Sequence, residues 1–386
     1  MKIFNTKIPL KVWTDDIESG ALEQAKNLTE LPFAFRHIAI MPDVHQGYGM
    51  PIGGIMATKG VIVPNAVGVD IGCGMCAVKT SLTEIDKDTL KKIMGEIRKV
   101  IPVGFNKHKE GNLGAMPTIE ESASLIPIVD REWDNAEKSV GTLGGGNHFI
   151  EIQKGSDGHI WIMIHSGSRN LGLKIANHYN KLAVELNQKW HSSVPKFWEL
   201  AYLPIESEEG QAYLKEMKYA VDFALANRKL MMQRIANKFI LNYSGIKFEE
   251  PINIAHNYAS LENHFGQNVW VHRKGATLAG ENTIGIIPGS QGTKSYIVKG
   301  LGNPESFNSC SHGAGRMMSR TKAKMELSLE KEIKLLDNQG IIHGIRNTGD
   351  LDEAPSAYKD ISKVMENQKD LVKIEVELSP LAVIKG

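Results

Sequence analysis

Six side chains that can bind a metal ion or act as nucleophiles stand in glycine-rich stretches of this 386-residue chain. They comprise one carboxylate, one thiol and four imidazoles, which is more than one tetrahedral metal ion needs. The set therefore predicts two soft-to-borderline metal ions, with one histidine left over for covalent chemistry. The six residues are Asp70, Cys73, His148, His165, His256 and His312.

Asp70 and Cys73 are three residues apart in GVDIGCGM, so they can converge on one ion. A deprotonated cysteine can also bridge two ions, because sulfur has several lone pairs. The alternative is an ordinary buried thiol beside a turn-capping carboxylate. Cys73 and Cys76 form a C-x-x-C pair, but one pair is too few for a four-cysteine zinc site, and no thioredoxin-like unit surrounds it.

His312 lies in CSHGAGR, just before a predicted helix over 314–335. The amides that begin such a helix, together with Arg316 or Arg320, would neutralise phosphate oxygens. A neutral imidazole can attack phosphorus and form a phosphoramidate, which is nucleophilic catalysis. In HSGSR, the serine hydroxyls, Arg169 and turn amides form a second candidate phosphate site. The alternative for His312 is a loop histidine that caps the helix.

The composition indicates the class of protein but not its partner. Lys and Arg (45) nearly balance Asp and Glu (44), so the net charge gives no sign of nucleic-acid binding. The presence of only three cysteines argues against a disulfide scaffold and for a reducing compartment. The first residues contain no long apolar run, and no segment is long enough to span a bilayer. We therefore expect a soluble cytoplasmic protein without a membrane partner.

Periodicity predicts a mixture of short strands and amphipathic helices. Candidate site residues extend from Asp43 to the C-terminus, which favours one α+β domain of mixed sheets and flanking helices over residues 1–386. Neither a dinucleotide-binding βαβ unit nor a P-loop motif is present. The predicted elements are short strands over 32–80, a helix over 86–101, a hairpin ending in His148 and His165, helices over 172–190, 211–241, 314–335 and 356–366, and a C-terminal strand.

Nine motifs, in matching order along nearly the whole chain, resemble the RtcB family of GTP-dependent RNA ligases. The resemblance implies the RtcB-like fold. It also implies an enzyme that joins an RNA 3′-phosphate or 2′,3′-cyclic phosphate end to a 5′-hydroxyl end, in tRNA splicing or RNA repair, using GTP and two Mn²⁺ ions. The motifs are PDVHQG, GVDIGCGM, GNHFIE, HSGSR, HNY, IPGSQG, SHGAGR, MSRTKAK and a terminal KG.

The resemblance also implies roles for individual residues. Asp70, Cys73 and His148 would hold one manganese ion; Cys73, His165 and His256 would hold the other. His312 would take GMP from GTP, and Arg169 and Arg320 would contact RNA phosphates. Asp43 lies in a motif tied to catalysis, without an assigned role. The positions matching guanylate contacts are Asn147, Glu151, Ser290, Ser295, Gly313, Ala314, Gly315, Tyr358 and Lys385.

Physical chemistry agrees with these roles. Glu151 can accept the guanine N1–H and N2–H groups while Lys385 donates to O6, and adenine presents the opposite pattern. Positioning and charge neutralisation would supply most of the catalysis. The chain departs from the family pattern at Ala255, where the family often has a histidine, and over 104–114, which affects the expected RNA preference.

Two alternatives come from other functional classes. A two-metal RNA end-processing phosphoesterase would need the metal ligands but not His312, Glu151 or Lys385. A metal-stabilised RNA-binding protein would form no covalent guanylate. The sequence leaves open the natural RNA, the oligomeric state, the metal used in the cell and whether an activating protein takes part.

Overall fold

The computed structural model describes residues 1–119 and 125–386 and confirms the expected α+β class, with mixed sheets and flanking helices. The strands are β1 (Lys2–Phe4), β2 (Leu10–Val12), β3 (Ala34–His45), β4 (Ile52–Thr58), β5 (Val61–Ile62), β6 (Gly74–Lys79), β7 (Phe149–Gly155), β8 (Ile160–Ser166), β9 (Leu203–Pro204), β10 (Ile252–Ala255), β11 (Asn257–His264), β12 (Gln267–Lys274), β13 (Ala276–Leu278), β14 (Ile284–Ile287), β15 (Ser295–Gly300), β16 (Ser309–Ser311) and β17 (Val372–Lys385).

The α-helices cover the predicted amphipathic segments and several short connections. They are α1 (Ser19–Thr29), α2 (Pro64–Val67), α3 (Lys87–Val100), α4 (Pro127–Arg131), α5 (Trp133–Ser139), α6 (Leu171–Lys189), α7 (Glu208–Asn242), α8 (Arg320–Glu326), α9 (Leu329–Asn338) and α10 (Ile361–Glu366). No helix in the described ranges is both long and apolar enough to cross a bilayer.

Two large sheets organise the chain. One has the strand order β1-β2-β3-β4-β12-β11, and the other has the order β10-β6-β8-β7-β17-β15-β14. Strands β2 and β3 pair in parallel, whereas the neighbours within the seven-stranded sheet pair antiparallel. Helices α3 and α7 bury their apolar stripes against one face of that sheet, and α9 packs against the other face.

Local sequence signals explain where the main helices begin. The Asp86 carboxylate accepts hydrogen bonds from the amides of Asp88 and Thr89, which caps α3. Ser207 caps α7 in the same way through the amide of Gly210. The predicted helices over 86–101, 172–190 and 211–241 are thus confirmed within a few residues.

Two predicted helices were wrong in extent. The segment predicted as one helix over 314–335 contains α8 and α9, separated at Leu327 and Ser328. Helix α8 begins only at Arg320, where the Ser319 side chain accepts from the amide of Lys322. His312 therefore does not begin a helix, because the glycines after it form a turn. The helix predicted over 356–366 is limited to α10, since a 3₁₀ turn occupies 355–357.

Candidate active site

Four adjacent strands of the seven-stranded sheet carry candidate ligands at one edge. Strands β6 and β7 begin directly after Cys73 and His148, whereas His165 is the last residue but one of β8 and His256 directly follows β10. Antiparallel pairing places the beginnings of β6 and β7 beside the ends of β8 and β10. Residues far apart in the sequence therefore meet at this edge.

The ligand atoms form two groups that share one thiol. The Sγ atom of Cys73 lies 3.3 Å from Nε2 of His165 and 3.5 Å from Nε2 of His148. His165 Nε2 is 3.4 Å from His256 Nε2, and His148 Nε2 is 3.4 Å from Oδ2 of Asp70. Each group of three ligand atoms lies within 4.8 Å. Such separations suit ions bound at about 2.0–2.3 Å by nitrogen, oxygen and sulfur.

The hydrogen bonding of His165 and the burial of its neighbours favour metal binding. Nδ1 of His165 donates to the carbonyl of Asn147 at 3.0 Å, which leaves Nε2 with a free lone pair. Burial lowers the pKa of His165 and of His256 well below the usual histidine value, so both rings are neutral at pH 7. Burial, with the nearby Asp70, raises the pKa of the Cys73 thiol, which a bound cation would reverse.

A buried arginine on α7 holds the three ligand-bearing loops together. The Arg228 side chain has no exposed surface and donates to the carbonyls of Gly72 at 2.9 Å, Ser166 at 2.8 Å and Ile254 at 3.2 Å. These carbonyls lie next to Cys73, His165 and the His256 segment, respectively. Its only sequence signal was a charged residue within the apolar stripe of a long helix, and sequence reasoning missed it.

His312 and Asp43 form the second part of the site. Nδ1 and the backbone amide of His312 contact Oδ2 of Asp43 at 2.6 and 3.1 Å, respectively. Because a carboxylate only accepts, Nδ1 is the donor and Nε2 keeps its lone pair. The His312 ring centroid lies 4.8 Å from that of His256. The nucleophile candidate therefore adjoins the candidate metal ligands.

The close contact between Asp43 and the segment after His312 requires a glycine at position 315. It has a φ of +74°, and a Cβ there would lie 2.2 Å from the carbonyl oxygen of Asp43. Only glycine combines that backbone conformation with so close a contact. The glycine loop after His312 therefore serves to bring β3 and the His312 segment together.

One cavity of about 880 Å³ collects most of the candidate residues. This volume lies within the range of small-molecule sites. Ser295, Arg169 and Asp43 do not line the cavity; Asp43 is buried behind His312, and Ser295 accepts from Gln153 and Gly289 beside it. The candidate residues that do line it are Asp70, Cys73, Asn147, His148, Glu151, His165, His256, Ser290, His312, Gly313, Ala314, Gly315, Arg320, Tyr358 and Lys385.

Glu151 and Lys385 lie on the paired strands β7 and β17, where Glu151 faces Val383 and Lys385 faces Phe149 in the register. Burial raises the pKa of Glu151 to about 8 although Lys385 opposes this, and burial lowers the pKa of Lys385. A buried acid and a half-buried amine in one cavity can bind a ligand edge that offers both donors and an acceptor.

Glu353 organises the basic side of the cavity. Its carboxylate is buried and accepts from Nη1 of Arg316 at 2.9 Å, from Nε of Arg320 at 2.7 Å and from the hydroxyl of Tyr358. Arg316 also donates to the carbonyls of Met318 and Asp352, so most of its donors are used within the protein. Arg320 is half-exposed, and a Cβ on Gly146 would lie 2.9 Å from its Nη2.

Several predicted phosphate contacts have other partners. The hydroxyls of Ser166 and Ser168 are buried and donate to the carbonyls of Leu143 and Ile71, so the predicted serine phosphate grip was wrong. Arg169 donates through Nε to Thr142 and through Nη2 to Gly104. Its guanidinium thus ties the divergent 104–114 segment to the His148 loop.

Lys274 is a cavity residue that sequence reasoning missed. Burial lowers its pKa to about 7, and its Nζ donates to the carbonyls of Tyr48 at 2.5 Å and Asn65 at 3.0 Å. It therefore fixes the loop that carries Tyr48 at the mouth of the cavity. The sequence signal was the VHRKG segment at the end of β12, a lysine followed by a glycine at a strand end.

Comparison with known proteins agrees with this geometry. The model of the family described as tRNA-splicing ligase RtcB matches residues 24–126 and 113–386. The chain is 41% identical to RNA-splicing ligase RtcB of Escherichia coli, with 98% of this chain and 97% of that protein covered. It is 34% identical to tRNA-splicing ligase RtcB of Nanoarchaeum equitans, with 98% and 95% covered. The chain therefore belongs to the RtcB family.

Proposed function

We propose that this protein is an RNA ligase, and that residues 1–386 act as one domain in that reaction. The substrates would be an RNA end with a 3′-phosphate or 2′,3′-cyclic phosphate, a 5′-hydroxyl RNA end and GTP. The observation that carries the proposal is the pairing of His312 with buried Asp43 beside two candidate metal groups that share Cys73. Family membership and the names of the relatives support the same reaction class.

Two Mn²⁺ ions fit the site as we propose it, one on Asp70, Cys73 and His148 and the other on Cys73, His165 and His256. When bound, they would polarise phosphate oxygens and neutralise charge that gathers during transfer. The protein side chains would do the rest. Asp43 would select the Nδ1–H tautomer of the neutral His312 ring and fix its orientation, and Arg228 would keep the ligand-bearing segments in register.

The proposed chemistry proceeds by three exchanges at phosphorus, after a water molecule has opened any cyclic phosphate by attacking its phosphorus and releasing the 2′-hydroxyl. Nε2 of His312 attacks the α-phosphorus of GTP, a P–N bond forms and pyrophosphate leaves. An oxygen of the RNA 3′-phosphate then attacks that phosphorus, and the P–N bond breaks. The 5′-hydroxyl finally attacks the 3′-phosphate phosphorus, loses its proton and expels GMP. Each exchange forms one phosphorus bond and breaks another.

The cavity supports a preference for guanine. Glu151 would accept from N1–H and N2–H, and Lys385 would donate to O6, as the positions of both residues in the cavity permit. The Tyr358 hydroxyl donates to Glu353, which fixes the orientation of a ring that lines the same cavity. Adenine offers an acceptor at N1 and a donor at N6, so both contacts would be reversed.

Covalent labelling tests the proposal. Protein incubated with α-labelled GTP and Mn²⁺ is expected to form an acid-labile GMP adduct, which RNA with the two matching ends converts to joined product. His312→Ala is expected to form no adduct while retaining bound metal. Equal labelling of His312→Ala would refute the nucleophile. Complete processing of cyclic-phosphate RNA without GTP or joined product would favour the two-metal phosphoesterase instead.

A further inference from the structure

Exposed aromatic rings lie on two loops that touch each other, one of which lines the cavity. Within residues 1–119 and 125–386, the exposed aromatic side chains are Tyr48, Phe105, Trp190 and Phe197. Tyr48 is 67% exposed and lines the cavity, while Phe197 is 81% exposed and Trp190 is 44% exposed. Single exposed apolar residues are common, but exposed rings on two contacting loops, one of them at a functional cavity, indicate a surface that binds a ligand.

The loop that carries Trp190 and Phe197 touches the loop that carries Tyr48. The Gly49 amide donates to Oε2 of Glu199 at 3.2 Å, and a Cβ on Gly49 would lie 2.6 Å from the Glu199 carbonyl oxygen. On the other side, Lys274 binds the carbonyl of Tyr48. The Tyr48 loop is thus fixed between the cavity and the 190–199 loop.

The exposed rings of Phe197 and Trp190 lie next to half-buried aromatic side chains that pack against the core. Phe197 lies beside Trp198, with ring centroids 6.3 Å apart, and Trp190 lies 6.4 Å from Tyr202. Trp198 and Tyr202 are half-buried and pack against the core cluster that contains Leu200. The exposed rings therefore stand on an ordered surface, which lowers the entropy cost of binding a planar ligand.

The charge of this surface fits a polyanion. The segment QKWHSSVPKFW (188–198) contains Lys189, His191 and Lys196 but no acidic residue, and the Glu199 that follows it accepts from the Gly49 amide. Both lysines are exposed, and each directly precedes one of the rings in the sequence, Lys189 before Trp190 and Lys196 before Phe197. Cations interleaved with exposed aromatic rings are the features that bind single-stranded nucleic acid, where bases stack and phosphates pair with the cations.

We propose that Tyr48, Phe197 and Trp190, with Lys189 and Lys196, form a stacking surface for unpaired RNA nucleotides that leads out of the cavity. The proposal rests on the proposed function, because it assigns this surface to the RNA whose end reacts in the cavity. It adds a substrate preference: an RNA end with a single-stranded extension would bind more tightly than a blunt duplex end.

The test compares RNA binding and catalysis in Phe197→Ala/Trp190→Ala and wild type. We expect the double variant to bind a non-reactive single-stranded RNA, without GTP, at least about tenfold more weakly. The KM for a long unpaired 3′-phosphate RNA is expected to rise similarly. Because neither ring lines the cavity, kcat and formation of the GMP adduct are expected to remain near wild type.

Control variants distinguish loss of this RNA-binding surface from general destabilisation of the protein. Leu241→Ala, which removes a 75% exposed apolar side chain at the end of α7, is expected to change nothing. Lys196→Ala is expected to lower the slope of log affinity against log salt by about one, as loss of one phosphate contact does. Quenching of tryptophan fluorescence by RNA is expected to decrease in Trp190→Phe.

Unchanged RNA affinity in the double variant would overturn the stacking surface, as would equal losses for single-stranded and blunt duplex RNA. Capture of a protein through these rings with no effect on RNA would also overturn it. Failure of the proposed ligase function would give a different result from failure of the stacking surface. The wild type would then form no GMP adduct and no joined RNA, whatever its affinity for single strands.

Discussion

The Nδ1 atom of His312 lies 2.6 Å from Oδ2 of Asp43, a carboxylate with no exposed surface. This contact joins β3 to the loop after β16, 269 residues along the chain. It fixes the tautomer and the orientation of the ring and would stabilise positive charge as Nε2 attacks phosphorus. The pair thus gives Asp43, which sequence analysis left without a role, a direct relation to the candidate nucleophile.

Asp43→Asn is expected to slow formation of the GMP adduct by about 10²–10⁴-fold, because an amide can stabilise the wrong tautomer and removes the charge. Metal content is expected to stay at the wild-type level, since Asp43 belongs to neither ligand group. Rapid-quench labelling with GTP measures the rate, and elemental analysis measures the metal. A wild-type labelling rate would show that Asp43 does not position His312.

Cys73→Ser is expected to reduce bound manganese more than loss of any other single ligand, because Cys73 belongs to both groups. Elemental analysis of the purified variant measures the ion-to-protein ratio. Cys76→Ser is the matched control: it alters a buried thiol three residues away that is in neither group. Two retained ions in Cys73→Ser would contradict a bridging thiolate.

Binding of Mn²⁺ is expected to release about one proton near pH 7. Burial raises the pKa of Cys73, so the thiol holds its proton without metal, whereas the lowered pKa values of His165 and His256 leave those rings already neutral. Metal affinity therefore increases with pH. Titration calorimetry in buffers of different ionisation enthalpy counts the protons. A binding constant independent of pH between 6.5 and 8 would contradict this assignment.

The affinity for GTP is expected to rise about tenfold between pH 7 and 9. Burial raises the pKa of Glu151 to about 8, so much of the group is protonated at pH 7, and only the carboxylate accepts both guanine N–H groups. Above pH 8 the Glu151 carboxyl is already deprotonated before GTP binds, so binding no longer includes the free-energy cost of removing that proton. The KM for GTP measures the change. Glu151→Gln is expected to show a higher KM, a flat pH profile and weaker discrimination against ATP.

Arg320→Ala is expected to weaken RNA binding uniformly across sequences and to reduce the salt slope by about one. Its Nε is held by Glu353, and its terminal nitrogens approach Gly146 at the cavity. Lys322→Ala is the matched control, because Lys322 is exposed on the same helix and pairs with Glu326 at 3.9 Å. Equal effects of the two substitutions would indicate general attraction and no specific phosphate contact.

Sequence alone predicted the candidate site residues and the larger elements. The choice of Asp70, Cys73 and the histidines needed only their types and glycine-rich surroundings, and helices such as α3 and α7 follow from local periodicity and capping. The same local reasoning failed for the predicted helix over 314–335. Its apolar spacing hid the break at Leu327 and Ser328, and the turn after His312 depends on contact with β3.

Only the tertiary structure determined which residues meet. The order β10-β6-β8-β7 brings the four strand ends that carry Cys73, His148, His165 and His256 to one edge, and no local pattern encodes that order. In the sequence, Arg228 is only a charged residue that interrupts the apolar stripe of a helix. In the fold, its guanidinium donates to three backbone carbonyls. Side-chain type and local periodicity are properties of short segments, whereas strand order and buried hydrogen bonds depend on long-range packing.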